Sequence, residues 1–456
     1  MTGWVADYIW REGRFESGVA MFADSSGRIT HFSSAAADLA GAERLGGRAL
    51  LPGLINAHSH AFQRVIRGRT EKRTRAPRDT FWTWRNIMYR AANALSPEAL
   101  YHVARMAFLE MLLSGITTAG EFHYLHHDTE GRPYEDRNRL AREMLRAAEE
   151  TGIRIALLRA AYARAGWNTP AEPMQARFIT PRAEEFIDDA KTLARYLKPG
   201  RSWIGVAPHS LRAVPLDYLL KLVEFARADR LPVHMHVAEQ PAEVQACIAE
   251  YGMSPVALLH RHGILDDRFT AIHAIHISGE EIDQLGAARS IVCACPTTER
   301  NLGDGICPAD GLLGAGVRIA LGSDSNVQID LLEDARELEY HLRLKRLERV
   351  VLDPERLAGR LLASATESGA ASLGAPGGNL EVGRPADFFT VDLNDPSIAG
   401  GDAESLASNI VFSLQRTAVR DVYIAGEPIV RDGHHRLQDQ IVRNFADAQQ
   451  SLSGRL

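Results

Sequence analysis

At 456 residues the chain exceeds one minimal domain and suits a barrel of about 250 residues or more with an accessory piece. Its apolar share of 45% is that of an ordinary globular protein, and its net charge of −6 argues against a nucleic-acid partner, which needs a basic face. No apolar run reaches membrane-spanning length, and the opening MTGWVADYIWREG lacks the regions of a signal peptide, so a soluble cytoplasmic protein with no membrane partner is expected.

Residues 1 to about 50 read as β. Trp4 to Trp10 predicts a short strand, and Gly18 to Ala23 and Arg28 to Phe32 flank a hairpin turn at Asp24 to Gly27. From about 51 to 375 the pattern alternates. Apolar, β-leaning runs fall at Leu54–Ala57, Ile116–Phe122, Ile153–Ala160, Trp203–Ala207, Pro232–Val237, Phe269–Ile275, Ser290–Ala294 and Val317–Gly322. Helical stretches separate most of them. One starts at Ser96-Pro97-Glu98, and others run roughly over 135–151, 182–197, 215–229, 241–251, 331–348 and 354–372. That order predicts an α/β fold, a (β/α)8 TIM barrel over 51–375. The segment from about 61 to 95, with its FWTWR, is an atypical insertion after the first strand and a candidate lid or substrate loop. Asp387 to Asp392 and Val419 to Val430 read as strands again, with a turn at Gly426. Residues 1–50 and 376–440 are therefore expected to form one small β-sandwich-like domain from both termini, followed by a tail or helix over 441–456.

In a barrel, catalytic groups sit at the C-terminal ends of strands. Strand one ends in His58 and His60, which share a face at spacing i, i+2. Strand five carries His234 and His236 with Glu239 just beyond, strand six carries His273 and His276, and strand eight ends in Asp324. Any one of these alone is more often an ordinary core or surface group. Their joint placement predicts a site for one divalent metal ion, with Zn²⁺ suited to such ligands and Fe²⁺ the alternative. A cation there would make hydroxide available near neutral pH, with a carboxylate and an imidazole to handle protons. The cysteines, Cys247, Cys293, Cys295 and Cys307, suggest buried free thiols: Cys293-Ala-Cys295 has no second pair, and no disulfide framework is evident.

The chain resembles the amidohydrolase superfamily in its cytosine, guanine and S-adenosylhomocysteine deaminase-like branch. The resemblance lies in LPGLINAHSHAF (51–62), APHSL (207–211), HVAE (236–239), IHAIH (272–276), LGSDSN (321–326) and NLEVGRPADFFTVD (379–392). It implies His58, His60, His236 and Asp324 as metal ligands, Glu239 as the proton shuttle to the leaving nitrogen, and His273 with Asp324 as activators of water. The H-x-x-E spacing to Glu239 favours His236 over His234, and His273 is favoured over His276. Binuclear relatives carry a lysine on strand four. WIGVAPHSL has none, so a mononuclear site is expected.

The implied reaction is hydrolytic loss of ammonia from an amidine-like C=N carbon. Arg85 in FWTWR, Arg212 after APHSL and Tyr124 past strand two suit a small-molecule dicarboxylate substrate, because guanidinium binds carboxylate in a bidentate fork. By resemblance Gln63 would reach the C=N group, while Arg85, Tyr124, His209 and Arg212 hold the carboxylates. Relatives are commonly homodimers. The alternatives are a guanine- or adenosine-type aminohydrolase on the same scaffold and a non-catalytic metal-stabilised binding protein. Glu239 and His273 argue against the second, since a structural metal site needs neither.

Overall fold

Eight apolar runs in the middle of the chain become eight parallel strands. The structure is a computed structural model that describes residues 1–169, 172–452 and 454. The strands are Leu54–Ser59, Ile116–His123, Arg154–Ala161, Ser202–Pro208, Val233–Val237, Phe269–His273, Ile291–Ala294 and Arg318–Leu321. They lie side by side in chain order, each parallel to the next. All but the fourth and eighth are buried along their whole length, as expected of strands covered by helices on one side and barrel core on the other.

The seam between the first and last strands is closed where His58, His60 and Asp324 lie. Ser59 bridges Asp324, the His60 amide donates to the Asp324 carbonyl (2.8 Å), and the Asp324 amide donates to the His58 carbonyl (3.0 Å). Asn56 completes the seam: its Oδ1 accepts from the Ser323 amide (3.0 Å) and its Nδ2 donates to Ser323 Oγ (2.7 Å). Gly322 makes this approach possible, because a Cβ there would lie 2.7 Å from the Cβ of His58.

The expected helices form, one of them in two pieces, and shorter helices that were not expected lie between the later strands, among them Pro255–Arg261, Gly279–Ala287 and Pro296–Leu302. Ser96 caps Pro97–Leu113, its side chain accepting from the Ala99 amide. The stretch expected as one helix over 354–372 is two, Leu357–Ala365 and Glu367–Leu373, broken at Thr366 (φ −131°, ψ −86°), whose hydroxyl donates to the Leu362 carbonyl. The insertion after strand one contains a 3-10 turn, Ala61–Ile66, and a helix, Phe81–Ala94.

Strands from both ends of the chain form a second, mixed sheet of nine strands. Its centre is Glu43–Pro52, parallel to Thr2–Arg11 and antiparallel to Phe388–Asp392. The sheet curls so that Arg28 bridges Pro385, enclosing a small core in which Trp4 packs edge-on against Phe388 and Tyr423. Val419–Ile424 and Glu427–Arg431 form a hairpin around Ala425 and Gly426, both at positive φ. Arg154 of barrel strand three ties the sheet to the barrel through a buried two-point ion pair with Asp387 (2.7 and 2.9 Å). The tail forms helix Gln438–Ser451. No described helix is long and apolar enough to cross a membrane.

Candidate active site

The strand ends bring His58, His60, His236 and Asp324 together, with one nitrogen or oxygen from each lying within 4.8 Å of the others. Asp324 Oδ1 is 3.3 Å from His58 Nε2 and 3.4 Å from His60 Nε2, and His58 Nε2 is 3.2 Å from His236 Nε2. Two of the imidazoles are oriented by backbone carbonyls. His60 Nδ1 donates to Phe122 O (2.9 Å) and His236 Nδ1 to His209 O (3.0 Å), which turns each Nε2 lone pair toward Asp324 and His58. Burial pushes His58 down to about 3 and holds His60 and His236 below the ordinary imidazole range. Burial would raise the Asp324 carboxyl, but His58, His273 and His60 outweigh it and hold Asp324 well below the usual carboxylate range. Neutral imidazoles and an ionised carboxylate are the forms that bind a cation. Converging lone pairs 3.2 Å apart are poor neighbours without one, so this set fits a divalent metal ion.

Backbone geometry marks the same positions. Ala238, His273 and Asp324 all sit at positive φ (52°, 71° and 45°), a conformation non-glycine residues seldom adopt, and all three lie at strand ends.

His273 Nε2 lies 3.8 Å from Glu239 Oε1 and 3.7 Å from Asp324 Oδ2, and it has no hydrogen-bond partner among the described residues. Its Nδ1 bonds Glu299 Oε1 (3.1 Å) on helix Pro296–Leu302. Burial would lower the His273 imidazole, but Glu239, Glu299 and Asp324 outweigh it and hold it well above its ordinary value. Burial raises the Glu239 carboxyl well above the usual range. Glu239 and His273 therefore form a buried acid–base pair, 3.8 Å apart, of the kind that can exchange a proton. Glu299 was not legible in the sequence: it lies 26 residues from His273 inside an unremarkable PTTERN stretch.

The neighbouring histidines take other partners. His234 Nε2 bonds the Ser372 carbonyl (2.9 Å), and His276 Nε2 bonds the Asp304 carbonyl (2.9 Å). All four cysteines are free and buried, and Cys295 lies beside His273 and Asp324 with its thiol pushed up by burial.

Above this floor, Gln63, Arg85, Tyr124, His209 and Arg212 line one cavity together with Glu239, His273 and Asp324. Gln63 Nε2 donates to Tyr124 Oη (3.1 Å), while its Oε1 is buried without a partner. The Arg85 guanidinium lies over the rings of Trp82 (4.6 Å) and Tyr89 (5.3 Å), and its Nε is also buried without a partner. Arg212 Nη1 donates to Tyr162 Oη (3.2 Å). Burial, then Arg212, keeps His209 well below its ordinary value, so it meets the cavity as a neutral ring. Tyr89 and Tyr162 line the same cavity and are additions to the sequence-based set. Tyr89 carried a usable signal, since it lies four residues after Arg85 on one helix face.

The chain belongs to the amidohydrolase family, whose model matches residues 49–429, and it is an enzyme of the hydrolase class. It is 41% identical over 409 residues to formimidoylglutamate deiminase of Pseudomonas aeruginosa, covering 89% of each chain. Among solved structures it is similar to an amidohydrolase from Brucella melitensis (TM-score 0.91, 34% identity, 100% of both chains). It is also similar to an adenosine deaminase from Xanthomonas campestris with bound zinc (TM-score 0.84, 25% identity, 100% of this chain and 98% of that one).

Proposed function

We propose that the protein hydrolyses N-formimidoyl-L-glutamate to N-formyl-L-glutamate and ammonia, a step of histidine degradation. The observation that carries this reading is two guanidiniums, Arg85 and Arg212, facing one cavity with the His and Asp cluster. A dicarboxylate needs such a wall and a purine does not. The similarity to the Pseudomonas aeruginosa deiminase supports the same substrate.

In this reading His58, His60, His236 and Asp324 hold one divalent ion, with Zn²⁺ suited to three imidazoles and a carboxylate. When bound, such an ion would supply Lewis acidity and make hydroxide available near neutral pH. Its charge would oppose protonation of His273, leaving Nε2 free to accept a proton while Glu299 holds Nδ1. Arg85, Arg212, Tyr124 and His209 hold the glutamate carboxylates, and Gln63 Oε1 accepts from the formimidoyl N–H. Water adds its oxygen to the formimidoyl carbon as His273 and Asp324 take its first proton and Glu239 protonates the imino nitrogen to an amine. The second proton of the added oxygen then passes through Glu239 to that amine as the C=O forms, the C–N bond breaks and ammonia leaves, and His273 returns the first proton to Glu239.

Replacing Arg85 or Arg212 by Gln tests the substrate reading. Each is expected to lower kcat/KM for formimidoylglutamate by about 10- to 150-fold, the worth of a hydrogen bond to a charged group. A negligible loss in both would count against a dicarboxylate.

A further inference from the structure

Behind the carboxylate wall, hydrogen-bond counting leaves one donor unassigned. Gln175, in the turn Pro173–Gln175, donates from Nε2 to Tyr89 Oη (3.1 Å) and to Tyr162 Oη (2.9 Å). Its Oε1 accepts from the Glu172 amide (3.3 Å), which fixes the side chain with its nitrogen toward the phenols. Arg212 Nη1 also donates to Tyr162 Oη (3.2 Å), so both acceptor sites of that oxygen are taken. The Tyr89 and Tyr162 oxygens are 3.2 Å apart and share one hydrogen. Donation from Tyr89 would crowd three donors onto Tyr162. Tyr162 therefore donates to Tyr89, whose own acceptor sites are then filled by Gln175 and Tyr162. The Tyr89 hydroxyl hydrogen is left without an acceptor among the described residues, on a buried side chain that lines the cavity beside Arg85 and Arg212.

We infer that Tyr89 is a specificity-determining hydrogen-bond donor to a substrate carboxylate, aimed by Tyr162 and Gln175. The inference rests on the dicarboxylate reading above. Arg85 points to the same ligand chemistry, since its buried Nε also lacks a partner and its guanidinium covers the Tyr89 ring. A carboxylate between these groups accepts from all of them. An amino group of a nucleobase placed there would meet only donors, so the arrangement also selects against purines.

Tyr89→Phe removes a single oxygen. It is expected to raise KM for formimidoylglutamate about ten- to a hundredfold, with kcat changed by less than about threefold. Two truncated substrates locate the contact: N-formimidoylglycine lacks the side-chain carboxylate, and 4-formimidoylaminobutyrate lacks the α-carboxylate. The rise should vanish on one of them and persist on the other. Gln175→Met alone should raise KM about three- to tenfold, and by less than about twofold when Tyr89 is already Phe. Unchanged KM in Tyr89→Phe, an equal rise on all three substrates, or full additivity of the two substitutions overturns the assignment. If Tyr89→Phe does not fold, an unchanged KM in Gln175→Met overturns it. Wild-type enzyme that leaves formimidoylglutamate intact overturns the substrate reading and this assignment with it, whereas active wild type with an indifferent Tyr89→Phe overturns this assignment alone.

Discussion

The floor of the cavity and its wall reach the same space by different routes. His58, His60, His236, His273 and Asp324 sit at or just past strand ends, and backbone carbonyls orient two of the imidazoles. Gln63, Arg85, Tyr124, Tyr162 and Arg212 come from connections after four different strands. They are fixed largely by one another, as in the bonds of Gln63 to Tyr124 and of Arg212 to Tyr162. The floor inherits its precision from the barrel, so its chemistry tolerates change elsewhere. The wall is a side-chain network that can be rebuilt without disturbing the barrel, which is where a scaffold changes substrate.

Asp324→Asn, or removal of the ion by a chelator, should have the largest effect. The loss of several kcal/mol of charge stabilisation corresponds to roughly a thousandfold or more in turnover. Added Zn²⁺ should restore the chelated wild type and leave Asp324→Asn inactive, as read by ammonia release and metal content. Glu239→Gln comes next, with kcat lowered by about 10²- to 10⁴-fold and metal content unchanged. Full turnover in that variant would remove Glu239 from the chemistry. His234→Ala separates structure from ligation on one strand. It should cost roughly 1–3 kcal/mol of stability in urea melts through the orphaned Ser372 carbonyl, yet keep the metal, whereas His236→Ala should lose it.

Stability should also depend on pH. Burial raises the Glu121 carboxyl from 4.5 to about 8, against hydrogen bonds from the Ala61 amide and Ser59. The folded state therefore binds this proton more tightly than the unfolded chain. Its stabilising contribution is full below pH 4.5 and is lost as pH rises to about 8. Glu121→Gln should flatten that part of the stability profile measured by denaturant titration. An unchanged slope would mean that Glu121 is ionised in the fold.

The same contrast explains what could be read from the sequence. Buried parallel strands are continuous apolar runs, so all eight were legible, and so were the polar residues that end them. The break at Thr366 was not, because it depends on a hydroxyl bond to a carbonyl inside an otherwise helical pattern. Arg85 and Arg212 stood out by residue type. Tyr162 and Gln175 did not, since their roles depend on a phenol 73 residues away and on bonds spanning 13 and 86 residues. Side-chain networks closed by folding leave little trace in local periodicity.

The most direct test of the account is ammonia release by the metal-loaded wild-type protein from N-formimidoyl-L-glutamate, set against guanine, cytosine and adenosine under the same conditions. The account predicts rapid release from the first and little from the other three. No release from formimidoylglutamate, with turnover of a nucleobase or nucleoside instead, would contradict it.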